Sequence, residues 1–190
     1  MLDFTNDVLR HCGGRLTTLD ADLLYKTAFE LAPKNILEIG SFDGCSTMIL
    51  GSIAKMTEGK VQCIEPSPKQ KWRANIERLQ LQEWVEMIFA ASPWVPPASI
   101  RQPIDYLFID GDHRTRWCLV DYHFWMPFVR VGGRIAFHDW GDAHETGGWI
   151  RESVEIILRD DNPFLTEIGQ TTNTRGLIVF EKTGDHNRYR

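Results

Sequence analysis

Short apolar runs alternate with amphipathic segments along most of the chain, and this alternation predicts strands connected by helices. Short, largely apolar runs, typical of strands buried on both faces, occur over five stretches: 35–39, 60–64, 84–90, 104–109 and 134–137. Helical periodicity lies between or after these runs, over residues 45–56, 68–79, 115–126 and 147–159. Two last apolar runs, about 164–169 and 176–181, flank a polar turn and predict a hairpin.

Two helices are predicted before the first of these strands. A short helix is expected within residues 1–16, with Gly13-Gly14 as its break. Thr17 and Asp20 have the spacing of a capping box, which predicts that a second helix begins there and covers about 19–32. Later in the chain, Gly132-Gly133 is expected to turn the backbone into the fifth strand.

Strands that alternate with helices predict an α/β fold with right-handed crossovers. We expect a Rossmann-like, doubly wound, mostly parallel seven-stranded sheet that ends in an antiparallel hairpin. The length of 190 residues suits one domain over 1–190, with N-terminal helices in 1–32 and a flexible tail over 183–190. In such sheets, ligands bind beyond the carboxyl ends of the strands.

Charge and composition exclude several partners. The net charge of −5 speaks against nucleic-acid binding, because no basic stripe is present to neutralise phosphates. No signal pattern and no apolar run of membrane-spanning length is present, so no membrane partner is expected. The four cysteines form no C-x-x-C pair and are expected to be reduced thiols of a cytoplasmic protein.

Residues 35–47 combine a buried strand, a glycine-bearing turn and the start of a helix, which predicts a cradle for a cofactor. Gly40 and Gly44 allow a sharp turn close to a ligand. Phe42 stands where dinucleotide-binding turns carry their middle glycine, so a pyrophosphate cannot approach closely. Ser46 at the helix start suits the carboxylate of a cofactor that carries an amino acid. The ammonium group of that cofactor would lie near Glu38 or Gly40.

Glu65 ends the second strand, where a carboxylate can accept both hydroxyl protons of a ribose. The simpler alternative is a solvated acid at a strand end. The glycine turn upstream favours the ribose interpretation.

The segment Glu38-Ile-Gly-Ser-Phe-Asp-Gly-Cys-Ser46 resembles the first motif of class I S-adenosylmethionine-dependent methyltransferases. Its aromatic middle position resembles the catechol and caffeoyl-coenzyme-A O-methyltransferase branch. Phe108-Ile-Asp-Gly-Asp-His113, Gly132-Gly133 and Phe137-His-Asp139 follow in an order similar to the small methyltransferase domains of type 24. The resemblance extends over roughly residues 17–182 and says little about the substrate.

The resemblance implies a binding site for S-adenosylmethionine. Gly40, Ser41 and Ser46 would hold its methionine part, Glu65 the ribose, and Ala91-Ser92 the adenine, with Trp94 as a nearby stacking candidate. The remaining residues assigned to this cofactor site are Glu38, Phe42, Asp43, Gly44 and Asp110.

The resemblance also raises the question of a divalent metal. In the cation-dependent relatives, an acid after the fourth strand and a pair after the fifth bind Mg²⁺, and here these positions are Asp110, His138 and Asp139. His138 stands where an oxygen ligand is expected, and imidazole suits transition metals better than Mg²⁺. Three alternatives stay open: a different metal, weak binding by the two aspartates, or no metal.

His113 is the candidate catalytic base, together with Asp110. It occupies the position at which the catechol-type enzymes carry a lysine base, and histidine takes a proton readily near neutral pH. The alternatives are a histidine that caps the next helix or pairs with Asp112. His144 is the next best base.

These features predict an S-adenosylmethionine-dependent methyltransferase that acts on a small-molecule acceptor, with a hydroxyl oxygen favoured and metal assistance open. The alternatives are a hydroxylase or a non-catalytic cofactor-binding protein on the same scaffold. An NAD-dependent oxidoreductase is disfavoured by Phe42 and by the final hairpin. A homodimer is expected, without nucleic-acid or membrane partners.

Overall fold

The computed structural model describes residues 2–11, 16–141, 149–172 and 174–185. The α-helices are α1 (Leu2–Arg10), α2 (Thr18–Leu31), α3 (Cys45–Thr57), α4 (Gln70–Arg78), α5 (Thr115–Trp125) and α6 (Trp149–Asp161). The strands are β1 (Asn35–Ile39), β2 (Lys60–Ile64), β3 (Val85–Ile88), β4 (Ile104–Ile109), β5 (Val129–His138), β6 (Leu165–Gln170) and β7 (Leu177–Lys182). Short 3-10 turns occur at Ser92–Trp94, Pro97–Ser99, Met126–Phe128 and Asn162–Phe164.

The seven strands form one sheet in the order β3-β2-β1-β4-β5-β7-β6. Strands β1 to β5 are parallel, and β7 runs antiparallel to both β5 and β6. This arrangement confirms the predicted Rossmann-like sheet with its C-terminal hairpin. The chain reverses its direction of travel between the neighbours β1 and β4, and such a switch point opens a crevice for a ligand.

Strand β4 is buried on both faces, as its sequence, apolar apart from Asp105, predicts. Tyr106 and Phe108 pack into the layer that contains α2 and α3, whereas Leu107 and Ile109 pack into the layer that contains α5 and α6. The two apolar layers hold β4 rigidly, so they also fix the position of the polar loop that follows it.

The predicted start of α2 is confirmed in detail. The Thr17 hydroxyl accepts a hydrogen bond from the Asp20 backbone N–H, and the Asp20 carboxylate accepts one from the Thr17 backbone N–H. This is the reciprocal capping box that the spacing indicates. The helix predicted over 147–159 begins at Trp149 in the described part of the chain, and Gly13-Gly14, residues 147–148 and most of the predicted tail lie outside it.

The prediction that Gly132-Gly133 precedes the fifth strand is wrong, because both glycines lie inside β5. The register between β4 and β5 shifts between Ile104 and Tyr106, so extra residues of β5 bulge out at this point. Gly132 has a φ of 74°, and a Cβ on Gly133 would lie 3.0 Å from the Asp105 carbonyl oxygen. The glycines thus permit a bulge rather than a turn. Strand β3 is also shorter than predicted, at Val85–Ile88.

Two further sequence-based expectations can be compared with the structure. Across the described residues, the helices are too short or too polar to cross a membrane. Cys63 and Cys118 are free thiols, but Cys45 is disulfide-bonded, so the expectation of four reduced thiols is wrong.

Candidate active site at the strand ends

A cavity of about 640 Å³ lies beyond the carboxyl ends of the parallel strands. Each of β1, β2, β4 and β5 contributes the residues that follow its last position, and the 3-10 turn after β3 adds a further wall. The lining includes Gly40, Ser41, Glu65, Ser92, Asp110, His113 and Asp139. Polar residues from distant parts of the sequence therefore meet in one space.

The turn after β1 approaches the loop after β4 very closely. Gly40 has a φ of 81°, and a Cβ built on it would lie 2.1 Å from the Asp110 carbonyl oxygen. Gly44 (φ 89°) is the N-cap of α3 and provides no side-chain hydrogen bond to the helix. The first N–H groups of α3 therefore lack a side-chain cap and are oriented to bind an anion at the cavity wall.

Two side chains of this turn have unusual surroundings. The Ser41 hydroxyl is buried and has no hydrogen-bond partner among the described residues, although Ser41 lines the cavity. Phe42 adopts a φ of 44°, which is rare for a residue with a side chain, and the Lys69 ammonium lies 5.0 Å from its ring centroid. An unpaired buried hydroxyl is costly, so this hydroxyl in the cavity wall suits a hydrogen bond with a bound ligand.

Glu65 connects β2 to the turn after β1. One of its carboxylate oxygens accepts hydrogen bonds from the backbone N–H groups of Ser41 and Phe42, at 3.3 and 3.2 Å. The other accepts from the Ser67 backbone N–H at 2.8 Å. Because the oxygen that accepts from Ser67 has a second lone pair, the carboxylate is held in place at the cavity and can still accept from a ligand.

Glu38 is not brought to the cavity, contrary to the sequence-based expectation. It is fully buried behind the turn, where its carboxyl group accepts hydrogen bonds from Thr47 Oγ1 at 2.6 Å, from Cys63 Sγ at 2.9 Å and from Ser46 Oγ. Burial raises the pKa of Glu38 to about 7, against the lowering effect of these hydrogen bonds. Glu38 thus fixes the start of α3, and the Ser46 hydroxyl is used for that purpose.

A cluster of two carboxylates and two imidazoles forms where β4 and β5 end. His113 Nε2 lies 3.1 Å from Asp139 Oδ2 and 3.6 Å from Asp110 Oδ1. His138 Nδ1 lies 3.1 Å from the same Asp110 oxygen. Asp139 has a φ of 59°, and strained backbone of this kind is often retained at functional sites. The sequence-predicted residues at these strand ends are therefore brought together.

The charges in this cluster shift the pKa values of its members in opposite directions. Burial alone would raise the pKa of Asp110, but His138 and His113 hold it well below its usual range. Burial alone would lower the pKa values of both histidines, but the carboxylates of Asp110 and Asp139 outweigh burial and raise them above 6.5. The cluster thus favours an ionised Asp110 beside readily protonated histidines.

The cluster also has the spacing of a metal site. Asp110, His113 and Asp139 each offer one ligand atom, and these atoms lie within 4.8 Å of one another. Two carboxylates and one imidazole suit a transition metal better than Mg²⁺, which prefers oxygen ligands. His138, the ligand expected from the sequence, instead donates or accepts a hydrogen bond with Asp110.

Two further residues, Arg175 and Asp20, contact the cluster, although the sequence did not indicate them for the site. Arg175 Nη1 lies 3.4 Å from Asp139 Oδ1, and Asp20 Oδ2 lies 3.9 Å from His138 Nε2. The sequence indicated Asp20 only as a residue of the capping box, because its contact with His138 depends on long-range packing. The alternative base His144 lies outside the described residues.

The wall after β3 is partly buried and partly open. Ser92 is buried and its hydroxyl accepts a hydrogen bond from Trp125 Nε1 at 2.7 Å. Trp94 lines the cavity and is 78% exposed, so most of its side chain is accessible at the rim.

Comparison with known proteins gives both a family and a fold. A family model described as a methyltransferase domain matches residues 37–140, which is over half of the chain. A viral protein named Uncharacterized protein R132, from Acanthamoeba polyphaga mimivirus, is 26% identical over 175 residues, covering 80% of this chain and 74% of its own length.

Solved structures show the same fold at low identity. Cofactor-bound Rv0187 from MTB superposes with a TM-score of 0.77 at 20% identity, over 95% of this chain and 89% of that one. The O-methyltransferase from Bacillus cereus in complex with SAH superposes with a TM-score of 0.73 at 22% identity, over 94% and 90% of the two chains.

Proposed function

The chain belongs to the methyltransferase domain family, and on that premise we propose that it transfers a methyl group from S-adenosylmethionine to a hydroxyl oxygen of a small-molecule acceptor. One observation carries this proposal: a single cavity joins the glycine turn and Glu65 to the cluster around His113. When bound, the sulfonium supplies an activated methyl group, so the protein needs no covalent intermediate. Its residues must bind, orient and exclude water.

The residues of the turn suit this cofactor. The uncapped N-terminus of α3 can bind the methionine carboxylate, and the unpaired Ser41 hydroxyl offers a further hydrogen bond. Gly40, Phe42, Asp43 and Gly44 shape the turn around that part. Glu65 would accept from the ribose hydroxyls, while Ser92 and the exposed side chain of Trp94 would lie beside the adenine. The compound SAH named with the Bacillus cereus structure is consistent with this assignment.

Thermal unfolding with separate ligands tests the cofactor assignment. Because a ligand that binds only the folded state raises its stability, S-adenosylmethionine and S-adenosylhomocysteine should each raise the Tm, and NADH should not. A Tm that rises with NADH and stays constant with both adenosyl compounds would contradict the proposal and favour an oxidoreductase.

Replacing Glu65 by alanine should weaken the binding of S-adenosylhomocysteine by roughly 10- to 100-fold, the range expected for hydrogen bonds to a charged group. Isothermal titration calorimetry measures this change. Glu77→Ala is the matched control, since Glu77 is an exposed carboxylate that pairs with Arg73 on α4 and should bind like the wild type. Wild-type affinity in Glu65→Ala would remove Glu65 from the ribose site.

His113 is the proposed catalytic base, with Asp110 as its supporting carboxylate. Neutral His113 would take the proton of the acceptor hydroxyl as the oxygen attacks the methyl group. Asp139 and Asp110, at 3.1 and 3.6 Å from His113 Nε2, would stabilise the imidazolium that forms. The same two carboxylates raise the pKa of His113, so its basicity is higher than that of a free histidine.

A metal-assisted reaction is the second candidate, because Asp110, His113 and Asp139 have metal-ligand spacing. A transition metal ion held there would supply Lewis-acid activation of the acceptor oxygen, but His113 would then be a ligand and not a base. The donor set does not fit Mg²⁺, because imidazole nitrogens occupy the cluster and Arg175 already lies 3.4 Å from Asp139.

We therefore expect methyl transfer to be insensitive to metal removal. After dialysis against EDTA, kcat should stay within about twofold of its original value, since the histidines and Arg175 already balance the carboxylates. Added Mg²⁺ should have no effect. Loss of activity on chelation, with recovery on addition of Zn²⁺ or Mn²⁺, would contradict this expectation and reassign His113 as a ligand.

A further inference from the structure

The cavity contains a buried carboxylate that the proposed mechanism leaves without a role. Asp121 on α5 is 5% exposed and lines the cavity. Among the described residues, the groups that act on its charge are Ser92, which forms a side-chain hydrogen bond with it, and Asp112, which repels it. Neither group is a cation, so no described residue balances the charge of this buried acid.

The order of the strands places Asp121 toward one end of the ligand. From β5 to β3 along the sheet, the strand ends present in turn Asp139, Asp110, Gly40, Glu65 and Ser92. The reacting methyl group must lie next to the acceptor, at the Asp139 and Asp110 end. With the ribose at Glu65, the purine extends toward β3 and Ser92. Asp121 interacts with Ser92 and lies beside Gly111, so it borders the cavity between the loop after β4 and the wall where the purine would lie.

Gly111 lies close against this carboxylate. A Cβ on Gly111 would lie 3.3 Å from Asp121 Oδ2 and 3.2 Å from Ile39 Cγ2, both tight contacts. The backbone of Gly111 does not have the positive φ that would itself require glycine. The absence of a side chain on Gly111 therefore permits the close approach of the loop after β4 to Asp121 in the cavity wall.

We propose that Asp121 is a specificity-determining residue that reads the purine of the cofactor, by accepting a hydrogen bond from the amino group on C6 of adenine. This inference rests on the proposed function, since the purine belongs to S-adenosylmethionine. An amino group can donate a hydrogen bond to a carboxylate. A keto oxygen at C6 is itself an acceptor, so it would face the acceptor oxygens of Asp121 without a hydrogen bond. A site built for such a hydrogen bond rejects analogues that cannot form it.

The protonation state of Asp121 is compatible with this role. Burial raises the pKa of Asp121 to about 6, with a smaller opposing effect from the Ser92 hydrogen bond. At pH 8 the group is therefore ionised and acts as an acceptor only. Binding measurements at pH 8 examine the carboxylate form alone.

Calorimetry with two ligands on the wild-type chain tests the inference directly. S-adenosyl-L-homocysteine should bind roughly 10- to 100-fold more tightly than S-inosyl-L-homocysteine, in which a keto oxygen replaces the amino group. Equal affinities would overturn the inference, while the binding of the adenosyl compound would leave the proposed function intact. No binding of S-adenosyl-L-homocysteine would overturn the proposed function and this inference with it.

Variants then assign the preference to Asp121. In Asp121→Asn the preference should fall to about threefold or less, because a carboxamide donates to a keto oxygen as well as accepting from an amino group. Asp7→Asn is the control, since Asp7 is an exposed carboxylate on α1 that does not line the cavity, and it should keep the full preference. An undiminished preference in Asp121→Asn would overturn the inference. If Asp121→Asn does not fold, Asp121→Ala takes its place and should likewise lose most of the preference, and equal affinities in the wild type would still overturn the inference.

Discussion

Replacing His113 by alanine is expected to lower kcat by about 100- to 10,000-fold, the usual contribution of a positioned general base. The imidazole lines the cavity and lies against two carboxylates that stabilise its protonated form. Alanine leaves the acceptor hydroxyl without a proton acceptor. The affinity for S-adenosylhomocysteine should stay unchanged, because the proposed cofactor contacts come from other residues. Release of S-adenosylhomocysteine measures kcat, and calorimetry measures the affinity.

The pH dependence separates loss of a base from loss of structure. In the wild type, kcat/KM should rise with pH as His113 loses its proton, with a midpoint above 6.5, because Asp110 and Asp139 raise its pKa. His113→Ala should lose this rise. His11→Ala, a change at an exposed histidine after α1, should retain both the rate and the rise. A wild-type pH profile in His113→Ala, or a kcat within about threefold of wild type, would exclude His113 as the base.

Gly40→Ala is expected to lower the free energy of unfolding by about 3 kcal/mol or more, combining left-handed backbone strain with a steric clash. The new Cβ would lie 2.1 Å from the Asp110 carbonyl oxygen and 2.8 Å from Gly111 Cα. These are backbone atoms of the loop after β4, which the two apolar layers around β4 hold in place. Either the turn after β1 or the loop after β4 must therefore move. Urea unfolding measures the change.

Gly132→Ala is the matched control for this substitution. Gly132 has a similar φ of 74°, but the nearest atom to its Cβ position is the end of the Arg130 side chain at 3.2 Å. Only the backbone strain remains, so the expected cost is about 1 kcal/mol. Equal costs for the two substitutions would show that the close approach of Gly40 to Asp110 does not constrain the site.

Local sequence patterns predicted most of the fold because helix capping and strand burial depend mainly on residues that are close in sequence. The capping box at Thr17 and Asp20 depends only on spacing, and the apolar run over 104–109 identifies a strand buried on both faces. The position of Gly132-Gly133 inside β5 depends on how β5 passes Asp105 of the neighbouring strand. That contact joins separate parts of the sequence, and a turn was the simpler interpretation of two glycines.

Some features of the candidate site also followed from the sequence, whereas others depend on contacts between distant residues. Strand ends in a parallel sheet meet at one edge, so the approach of His113, Asp110 and Asp139 followed from topology. The burial of Glu38 did not follow, because it depends on Thr47 and Cys63, which donate to it from α3 and β2. Asp121 carries no motif of its own, and only its burial beside the cavity marks it.

Transfer of a labelled methyl group tests the central claim most directly. The chain is incubated with S-adenosylmethionine labelled with ¹³C in its methyl group and a panel of small phenols, alcohols and amines, and the products are followed by NMR. We predict an O-methyl signal from a hydroxyl acceptor, with S-adenosylhomocysteine released in equal amount, and loss of that signal in His113→Ala. Cofactor binding without any O-methyl product, or a product methylated on nitrogen or hydroxylated instead, would contradict the proposed function.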